Sequence, residues 1–309
     1  MWHRTSSSNL KLPLMKSTSQ LKVSIITVNF NQLDHTRKLI RSLNKITYKN
    51  IEIIVVDNAS RQNCAPLLKS FPHIKLVRST SNRGFAGGNN LGLKYAQGQL
   101  ILFINNDVLV LPDFLDELVN QLELDPEALA CSPKIKYLEA PQRIQYAGGE
   151  RVHPITLRNK HLGHGAKDIG QHNRSGVTAY AHGACMLVRS EAIELVGEMD
   201  EDYFLYYEEQ DWCERLLRQG KKILYVASAT VFHDASTSTG KGSPMKTYYL
   251  TRNRILFARK RLSRAQKLIS FGYLLLVSVP YNFLKNIRSK EHLRAYFQGI
   301  FWHWKHKTI

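Results

Sequence analysis

The sequence predicts an α/β protein with a mostly parallel sheet flanked by helices, followed by a basic helical extension. Short runs rich in Val and Ile alternate with segments whose apolar residues recur at helical spacing, a pattern typical of parallel strands covered on both faces. The extension is indicated by charge, because residues 241–309 hold 15 Lys and Arg against a single acid. We expect a disordered lead over residues 1–20, a folded domain over 21–245 and the extension over 246–309.

The folded domain divides near residue 110. Its first half alternates strand and helix, and the predicted elements are Val23–Val28, Leu33–Leu43, Ile51–Val56, a short helix, Ile74–Val77, a glycine-rich turn with a helix through Tyr95, and Leu100–Ile104. The second half, 111–245, is irregular between Leu129 and Val188, which favours mixed strands joined by long loops. The later predicted elements are a strand at Ala184–Val188, a helix at Glu208–Arg218 capped by Gly220, short strands at Ile223–Val226 and Thr230–Phe232, and mainly helix from Lys246 onward.

Polar residues follow three of the predicted strands at the point where each strand ends. They are Asn29, Asp57 and Asp107. Ligands bind beyond the carboxyl ends of parallel strands, and although Asp and Asn are also common turn formers, three together favour one site. Asp107 is the residue that we expect to bind a divalent cation, since hard cations prefer carboxylate oxygens.

A loop rich in Gly and Asn, residues 81–90, opens a predicted helix. Backbone N–H groups at a helix N-terminus favour anions, and Arg83 adds a fork of donors. A structural left-handed turn explains the glycines equally well. The loop is not of the Walker A type, because no Gly-Lys-Ser/Thr follows.

Three carboxylates, Glu208, Glu209 and Asp211, open another predicted helix behind an aromatic strip at residues 203–207. Carboxylates at this end of a helix complement its dipole, so a structural role and a role as general base are both open. His233, after a short strand, is either a structural histidine or a nitrogen ligand that completes a metal site with Asp107.

Taken together, these motifs resemble the family-2 inverting glycosyltransferases of GT-A fold, in particular their bacterial rhamnosyltransferase-like branch. The matching segments are SIITVNFN (24–31), VVDNAS (55–60), NRGFAGGNNL (82–91), FINND (103–107), HGACMLV (182–188), GEMDEDYFLYYEEQDWCER (197–215) and YYLTRNRILFARK (248–260). The resemblance implies a Rossmann-like sheet, a nucleotide-sugar donor and a divalent metal, Mg²⁺ or Mn²⁺. It also implies that 21–110 is the nucleotide-binding half and 111–245 the acceptor half.

The resemblance implies a role for each matched position. The residues that would bind the nucleotide-sugar are Val28, Asn29, Asp57, Arg83, Gly84, Asn106 and Asp107. Those that would border the donor sugar and the acceptor are His182, Gly183 and Ala184. Glu209 stands at the usual position of the catalytic base, with Asp211 as the close alternative and Glu208 or Asp211 as the group that orients it.

The same comparison implies a metal site built on Asp107. Asn105 stands where many relatives carry Asp, so we expect weaker metal binding or a larger share for His233. The implied reaction is inverting transfer from a dTDP-rhamnose or UDP-hexose type of donor to a hydroxyl of a lipid-linked saccharide, in cell-surface polysaccharide synthesis.

Basic residues flank the apolar stretch Leu268–Leu284, which has 17 residues without a charge. This is short of the ~20 residues of a comfortable membrane span, so an interfacial or re-entrant segment is predicted. Basic flanks suit an anionic lipid surface, and we expect a cytoplasmic protein that is peripheral on the inner face of the cell membrane. A helical appendage packed on the folded domain is the alternative.

Two other functions compete with this interpretation. A nucleotidyltransferase of similar fold usually carries a Gly-rich loop with a basic residue after the first strand, where this chain has residues 29–32, NFNQ. A non-catalytic membrane- or nucleic-acid-binding protein would use the basic tail, but no nucleic-acid motif is present and we expect no nucleic-acid partner. A degenerate transferase is also open, because Asn105 and Glu209 depart from the family pattern.

Overall fold

Ten strands form one sheet in the described part of the computed structural model, which comprises residues 20–234 and 242–306. The strands are β1 (Val23–Asn29), β2 (Ile51–Asp57), β3 (Ile74–Arg78), β4 (Leu100–Ile104), β5 (Val108–Val110), β6 (Ala128–Tyr137), β7 (Ile144–Tyr146), β8 (Gly176–Thr178), β9 (Cys185–Arg189) and β10 (Lys222–His233). The lead predicted over residues 1–20 falls almost wholly outside the described residues.

Helices cover the sheet and continue beyond it. They are α1 (Leu33–Leu43), α2 (Pro66–Ser70), α3 (Gly84–Leu93), α4 (Phe114–Leu124), α5 (Ser190–Val196), α6 (Glu208–Arg218), α7 (Pro244–Arg261), α8 (Arg264–Tyr273), α9 (Val279–Asn286) and α10 (Lys290–Lys305). A short 3₁₀ turn, Glu201–Tyr203, precedes α6.

The strand order is β3-β2-β1-β4-β9-β6-β10-β5, with β7 beside β6 and β8 beside β10. Strands β3, β2, β1 and β4 are parallel, and Asn29 pairs with Asp57 at their carboxyl ends. Strand β9 runs antiparallel to both β4 and β6. The predicted strands of the first half are confirmed, as are the mixed strands of the second half.

One predicted pair of strands is wrong. The segments predicted at Ile223–Val226 and Thr230–Phe232 belong to the single strand β10, whose register against β6 shifts between Val226 and Thr230. The chain resumes pairing with the same neighbour after this irregularity, so the strand bends without ending. Strand β5 and helix α4 lie outside the predicted elements.

The helical segment that contains the uncharged stretch Leu268–Leu284 is longer than that stretch. Helix α8, a π-helical stretch (Leu274–Ser278) and α9 form one continuous helical segment, Arg264–Asn286. This segment has 23 residues, is largely apolar and is mostly exposed in the described structure. By length and composition it could cross a membrane. The sequence-based estimate is shorter because it stops at the charged residues near both ends, which the helix includes.

Helix α7 packs against the folded domain. A small core of Tyr203, Tyr207, Leu256 and Phe257 joins it to the segment before α6, separately from the main core around the sheet. The predicted boundary at residues 245–246 therefore falls just inside α7, a helix whose side chains contact that segment directly.

Close packing of α3 on the sheet holds the 81–90 loop in place. A Cβ added at Gly92 would lie 2.5 Å from Cγ2 of Ile26 and 3.1 Å from Cγ2 of Val56, both of which are side chains of the sheet. Glycine is therefore required where α3 crosses β1 and β2.

We predict that Gly92→Ala lowers the free energy of unfolding by about 1–3 kcal/mol, because the added methyl overpacks this contact. The matched control is Gly272→Ala, since nothing lies within 4 Å of an added Cβ at that helical glycine, and Ala there should stabilise by up to about 1 kcal/mol. Denaturant unfolding of both variants measures the difference, and equal effects would contradict the packing described.

Candidate active site

A cavity of about 260 Å³ opens where β4 and β10 end and β9 and α6 begin. Half of the predicted site residues line it, namely Asp107, His182, Gly183, Ala184, Glu208, Glu209 and His233. Residues more than a hundred positions apart in the chain therefore meet in one pocket.

Asp107 and His233 lie side by side on the cavity wall, and both are buried. Nε2 of His233 is 3.1 Å from Oδ1 of Asp107. The other ring nitrogen, Nδ1, lies 2.9 Å from Oε1 of Gln145, a contact that fixes the orientation of the imidazole. The backbone joins the two segments as well, because N–H of Asp234 donates to the carbonyl of Asp107 at 3.0 Å.

A buried hydrogen-bond network links the ends of β1, β2 and β4. Nδ2 of Asn106 donates to the hydroxyl of Thr36 at 3.1 Å, and that hydroxyl donates to Oδ1 of Asn29 at 2.9 Å. Nδ2 of Asn29 donates to Oγ of Ser60 at 3.0 Å, and N–H of Ser60 donates to Oδ1 of Asp57 at 2.9 Å. The three strand ends thus share one edge, as the sequence predicts.

Glu208 and Glu209 begin α6 and face the cavity. The hydroxyl of Tyr180 donates to Oε1 of Glu209 at 2.8 Å. Oε2 of each glutamate is buried and has no hydrogen-bond partner among the described residues. A buried acceptor without a partner costs about 1–3 kcal/mol, so these oxygens are suited to receive a donor from a molecule in the cavity.

The two glutamates differ in their electrostatic surroundings. Burial raises the pKa of Glu208 well above its usual value, and repulsion by Glu209 raises that pKa further. Burial also raises the pKa of Glu209, but the Tyr180 hydroxyl and the backbone N–H groups of α6 oppose the rise. Because neighbouring carboxylates resist ionising together, the pKa of Glu208 is raised more strongly than that of Glu209.

The backbone before α6 is strained. Phe204, Tyr206 and Tyr207 have φ angles of 62°, 69° and 78°, in a region that bulky residues rarely adopt. Each such residue costs about 1–3 kcal/mol and persists only where its surroundings enforce it. Tyr207 is the residue that leads into Glu208, so the strain lies directly at the start of the carboxylate pair.

Asn253 on α7 holds this strained backbone. Its Nδ2 lies 2.8 Å from the carbonyl oxygen of Tyr203 and 2.7 Å from those of Leu205 and Tyr206. Nη2 of Arg252 also donates to the carbonyl of Tyr203, at 2.5 Å. The extension therefore contributes directly to the position of Glu208 and Glu209.

His182, Gly183 and Ala184 also line the cavity. N–H of Ala184 donates to Nδ1 of His182 at 3.0 Å, so that nitrogen is unprotonated. Burial and the neighbouring histidines lower the pKa of His182 well below its usual value, which keeps the ring neutral. A Cβ at Gly183 would lie only 3.4 Å from Cγ of Glu209, so glycine here leaves room beside the carboxylate.

Asp211 lies outside the cavity. It is fully buried, accepts a hydrogen bond from the Tyr203 hydroxyl at 2.9 Å, and is paired with Arg215 at 3.0 Å and with both Nε and Nη2 of Arg261. It fixes α6 to α7. Of the two candidate bases, only Glu209 faces the cavity.

Of the seven predicted nucleotide-binding residues, only Asp107 lines this cavity. Val28, Asn29, Asp57 and Asn106 belong to the neighbouring sheet edge.

The two remaining residues of that set, Arg83 and Gly84, have structural partners. Nη2 of Arg83 donates to both carboxylate oxygens of Glu201, each at 2.8 Å. Gly84 has φ +69°, and a Cβ there would lie 2.1 Å from the carbonyl oxygen of Phe204. Gly84 therefore forms the structural left-handed turn that was one of the two explanations for the glycines of this loop.

Several residues at the site were not predicted. They are Tyr180, Gln145, Lys246, Arg252 and Asn253. The last three lie on α7, and Arg252 and Asn253 fall within the matched segment 248–260, to which the motif comparison assigned no role. Nζ of Lys246 lies 5.9 Å from the centre of the Tyr206 ring, and this residue brings a positive charge to the cavity.

Asp107 and His233 supply a carboxylate oxygen and an imidazole nitrogen that fit a divalent cation. In residues 20–234 and 242–306 no group of three or more His, Cys, Asp or Glu side chains is arranged to hold a metal. Divalent cations in phosphate-binding sites often take only one or two protein ligands, with the substrate phosphates and water completing the set. The pair therefore suits a cation that binds together with a diphosphate.

Comparison with known proteins gives a family and several relatives. The model of the family "Glycosyl transferase family 2" matches residues 24–197. The hexosyltransferase Agl10 of low-salt glycan biosynthesis in Haloferax volcanii is 26% identical over 79% of this chain and 77% of its own length. An N-acetylglucosaminyl-diphospho-decaprenol L-rhamnosyltransferase of Mycobacterium tuberculosis is 26% identical over 70% and 77%. The dTDP-rhamnosyl transferase RfbF of Shigella flexneri is 24% identical over 91% and 96%.

The fold is also found among solved structures. The mannosyltransferase PcManGT from Pyrobaculum calidifontis, solved with GDP-Man and Mn²⁺, superposes with a TM-score of 0.57 at 16% identity, covering 92% of this chain and 85% of that one. At this identity the likeness concerns the fold, which is of the GT-A type, with a central sheet flanked by helices.

We predict that Asn253→Ala lowers the free energy of unfolding by about 2–4 kcal/mol, because buried carbonyl groups lose their donor. Hydrogen exchange should accelerate in residues 203–209 more than in β1 and β2. The control is Asn286→Ala, which removes a single bond to the Asn282 carbonyl within one helix. Unchanged exchange of residues 203–209 in the Asn253 variant would show that the amide does not hold this backbone.

Proposed function

Since the chain belongs to glycosyltransferase family 2, we propose that it is an inverting, metal-dependent enzyme that transfers a sugar from a nucleotide-diphosphate sugar to a hydroxyl group. The observation that carries the proposal is that Asp107 and His233 face the same cavity as Glu208 and Glu209. One pair suits a cation with its diphosphate, and the other suits proton removal.

Glu209 is the proposed general base. Its Oε2 is buried without a partner among the described residues, and its other oxygen is held by Tyr180. The acceptor hydroxyl gives its proton to this carboxylate while its oxygen forms a bond to the anomeric carbon of the donor. The bond from that carbon to the diphosphate breaks on the opposite face, and the nucleoside diphosphate leaves with the bonding electron pair. Inversion follows from this single displacement.

Asp107 and His233 are the proposed protein ligands of a divalent cation, Mg²⁺ or Mn²⁺. When bound, such a cation neutralises negative charge on a leaving diphosphate. Gln145 keeps the His233 ring in the orientation that offers Nε2. Lys246 adds a second positive charge at the cavity, which also favours a departing anion.

The names of the relatives suggest the donor and the acceptor. Two of them are rhamnosyltransferases, one named for a dTDP-linked donor and one for a diphospho-decaprenol acceptor. We propose a dTDP-rhamnose or UDP-hexose type of donor and a lipid-linked saccharide acceptor of cell-surface polysaccharide synthesis. Nucleotide binding is assigned to the adjacent sheet edge around Val28, Asn29 and Asp57.

We propose that the enzyme acts at a membrane surface. The segment Arg264–Asn286 exposes large apolar side chains, among them Leu268 (78% exposed) and Leu276 (76% exposed). Basic residues adjoin both ends of this segment, and each well-placed one contributes about 1 kcal/mol at an anionic leaflet. Apolar and basic signals together can anchor a soluble domain, here on the inner face of the cell membrane.

We predict that Glu209→Gln lowers kcat by at least about 100-fold, because the acceptor proton loses its base. The KM for the donor should change little, since the amide keeps the shape of the side chain. Release of nucleoside diphosphate from a panel of nucleotide-sugars measures turnover, and Glu123→Gln, an exposed site on α4, is the control. Full activity in Glu209→Gln, or release of pyrophosphate by the wild type, would overturn the proposal.

We predict that Leu276→Gln and Leu284→Gln together lower binding to anionic vesicles by more than tenfold, because exposed apolar side chains lose their favourable transfer into lipid. The control is Leu124→Gln on α4, where leucine is equally exposed at 77%. Vesicle flotation of the full chain measures the binding. Equal retention by both proteins would contradict the assignment of this segment to the membrane.

A further inference from the structure

A second cavity, of about 200 Å³, lies between the extension and the loop that follows β7. Its lining residues are Arg158, Tyr273, Val277, Ser278 and Tyr281. The cavity is several times the volume of a water molecule, which is about 30 Å³. Three of the five side chains carry a hydroxyl and one carries a guanidinium, so the lining is rich in hydrogen-bond donors.

Arg254 is buried next to this cavity without a neutralising partner. Nε and Nη2 donate to the carbonyl of Thr156 at 2.9 and 2.6 Å, and Nη1 donates to Oγ of Ser278 at 3.1 Å. Burial lowers the pKa of the Arg254 guanidinium, and the nearby charge of Arg158 lowers it further. In residues 20–234 and 242–306 no carboxylate lies within salt-bridge distance of either arginine. Two positive charges thus share a site that lacks a negative one.

The helix is distorted at this cavity. The π-helical stretch Leu274–Ser278 supplies Val277 and Ser278 to the lining. π-Helical stretches are rare in proteins, and those that occur are often found at functional sites. Ser278 is buried although its neighbours Leu276 and Val277 are exposed, so the distortion turns a hydroxyl towards Arg254 within an otherwise apolar stretch.

Apolar surface begins at the mouth of the cavity. Leu275, Leu276 and Val277 are 68%, 76% and 51% exposed, and Tyr281, which lines the cavity, is 56% exposed. A ligand that suits both features carries an anionic group for the arginines and a hydrocarbon chain for the leucines. A lipid phosphate meets this description, whereas free phosphate leaves the apolar surface uncovered.

We infer that this cavity binds the headgroup phosphate of a bilayer phospholipid, with Arg158 and the tyrosine hydroxyls contacting the phosphate and Arg254 supplying charge from behind. The inference rests on the proposed membrane association and deepens it, because it assigns one specific lipid contact in addition to the diffuse attraction of the basic extension. The guanidinium fork of Arg158 suits phosphate oxygens better than an ammonium group does.

The test compares a charge-conserving and a charge-removing variant at each of two arginines of the full chain. Arg158→Lys should weaken binding to phosphatidylglycerol vesicles by several fold, and Arg158→Gln by more than tenfold. The matched controls are Arg288→Lys, which should be unchanged, and Arg288→Gln, which should lose at most about fivefold. Arg288 is exposed just beyond the same helical segment and does not line the cavity. Thermal unfolding checks that all four variants fold.

The outcomes separate the cavity from the wider proposal. Failure of the wild type to bind any vesicle would overturn the membrane association itself. Wild-type binding with equal losses for the Arg158 and Arg288 variants would leave only diffuse electrostatics and would overturn the cavity. If inorganic phosphate displaces the vesicles as readily as a short-chain phosphatidylglycerol does, the assignment of a lipid as the ligand would be overturned. A loss confined to vesicles that carry a polyprenyl diphosphate would overturn the bilayer phospholipid in favour of a lipid-linked acceptor.

Discussion

The site depends on the contact between Asn253 and the carbonyl groups of residues 203–206. Three bulky residues in this segment adopt left-handed backbone conformations, which together cost several kcal/mol by the usual estimate of about 1–3 kcal/mol each. The amide of Asn253 and the guanidinium of Arg252 bind the carbonyl oxygens of this segment. Glu208 and Glu209 follow immediately, so the position of the proposed base is determined by a helix that follows the sheet domain in the sequence.

Helix α7 connects two parts of the molecule through three consecutive residues. Arg252 and Asn253 hold the segment before α6, while Arg254 contacts Thr156 in the loop after β7 and Ser278 in the apolar helix. Helix α10 supports this arrangement, since the Trp302 ring lies 4.8 Å from the guanidinium carbon of Arg252 and Nε2 of His303 is 2.9 Å from its carbonyl oxygen. The extension therefore contributes to the interior of the site as well as to an exposed apolar surface.

The sheet and half of the site could be predicted from sequence because their signals are local. Runs of Val and Ile mark buried strands, and the ends of parallel strands share an edge, so the common edge of Asn29 and Asp57 follows from the order of elements. Spacing could not distinguish Glu209 from Asp211, because two positions along a helix turn the side chain by about 200°, and only the packing of Arg215 and Arg261 shows which one is enclosed. Asn253 was missed because its partners are backbone carbonyls about fifty residues away, which leave no trace in side-chain patterns. The continuous strand β10 was missed because a register shift resembles a strand end.

The central claim is that a cation site at Asp107 and His233 and a base at Glu209 serve one cavity. Anomalous scattering from crystals of the full chain grown with Mn²⁺ and a nucleoside diphosphate tests this most directly. The account predicts a manganese peak in contact with Asp107 and with the diphosphate, on the wall that Glu209 also faces. A nucleotide bound with manganese away from Asp107, or a Glu209 side chain outside the occupied cavity, would contradict it.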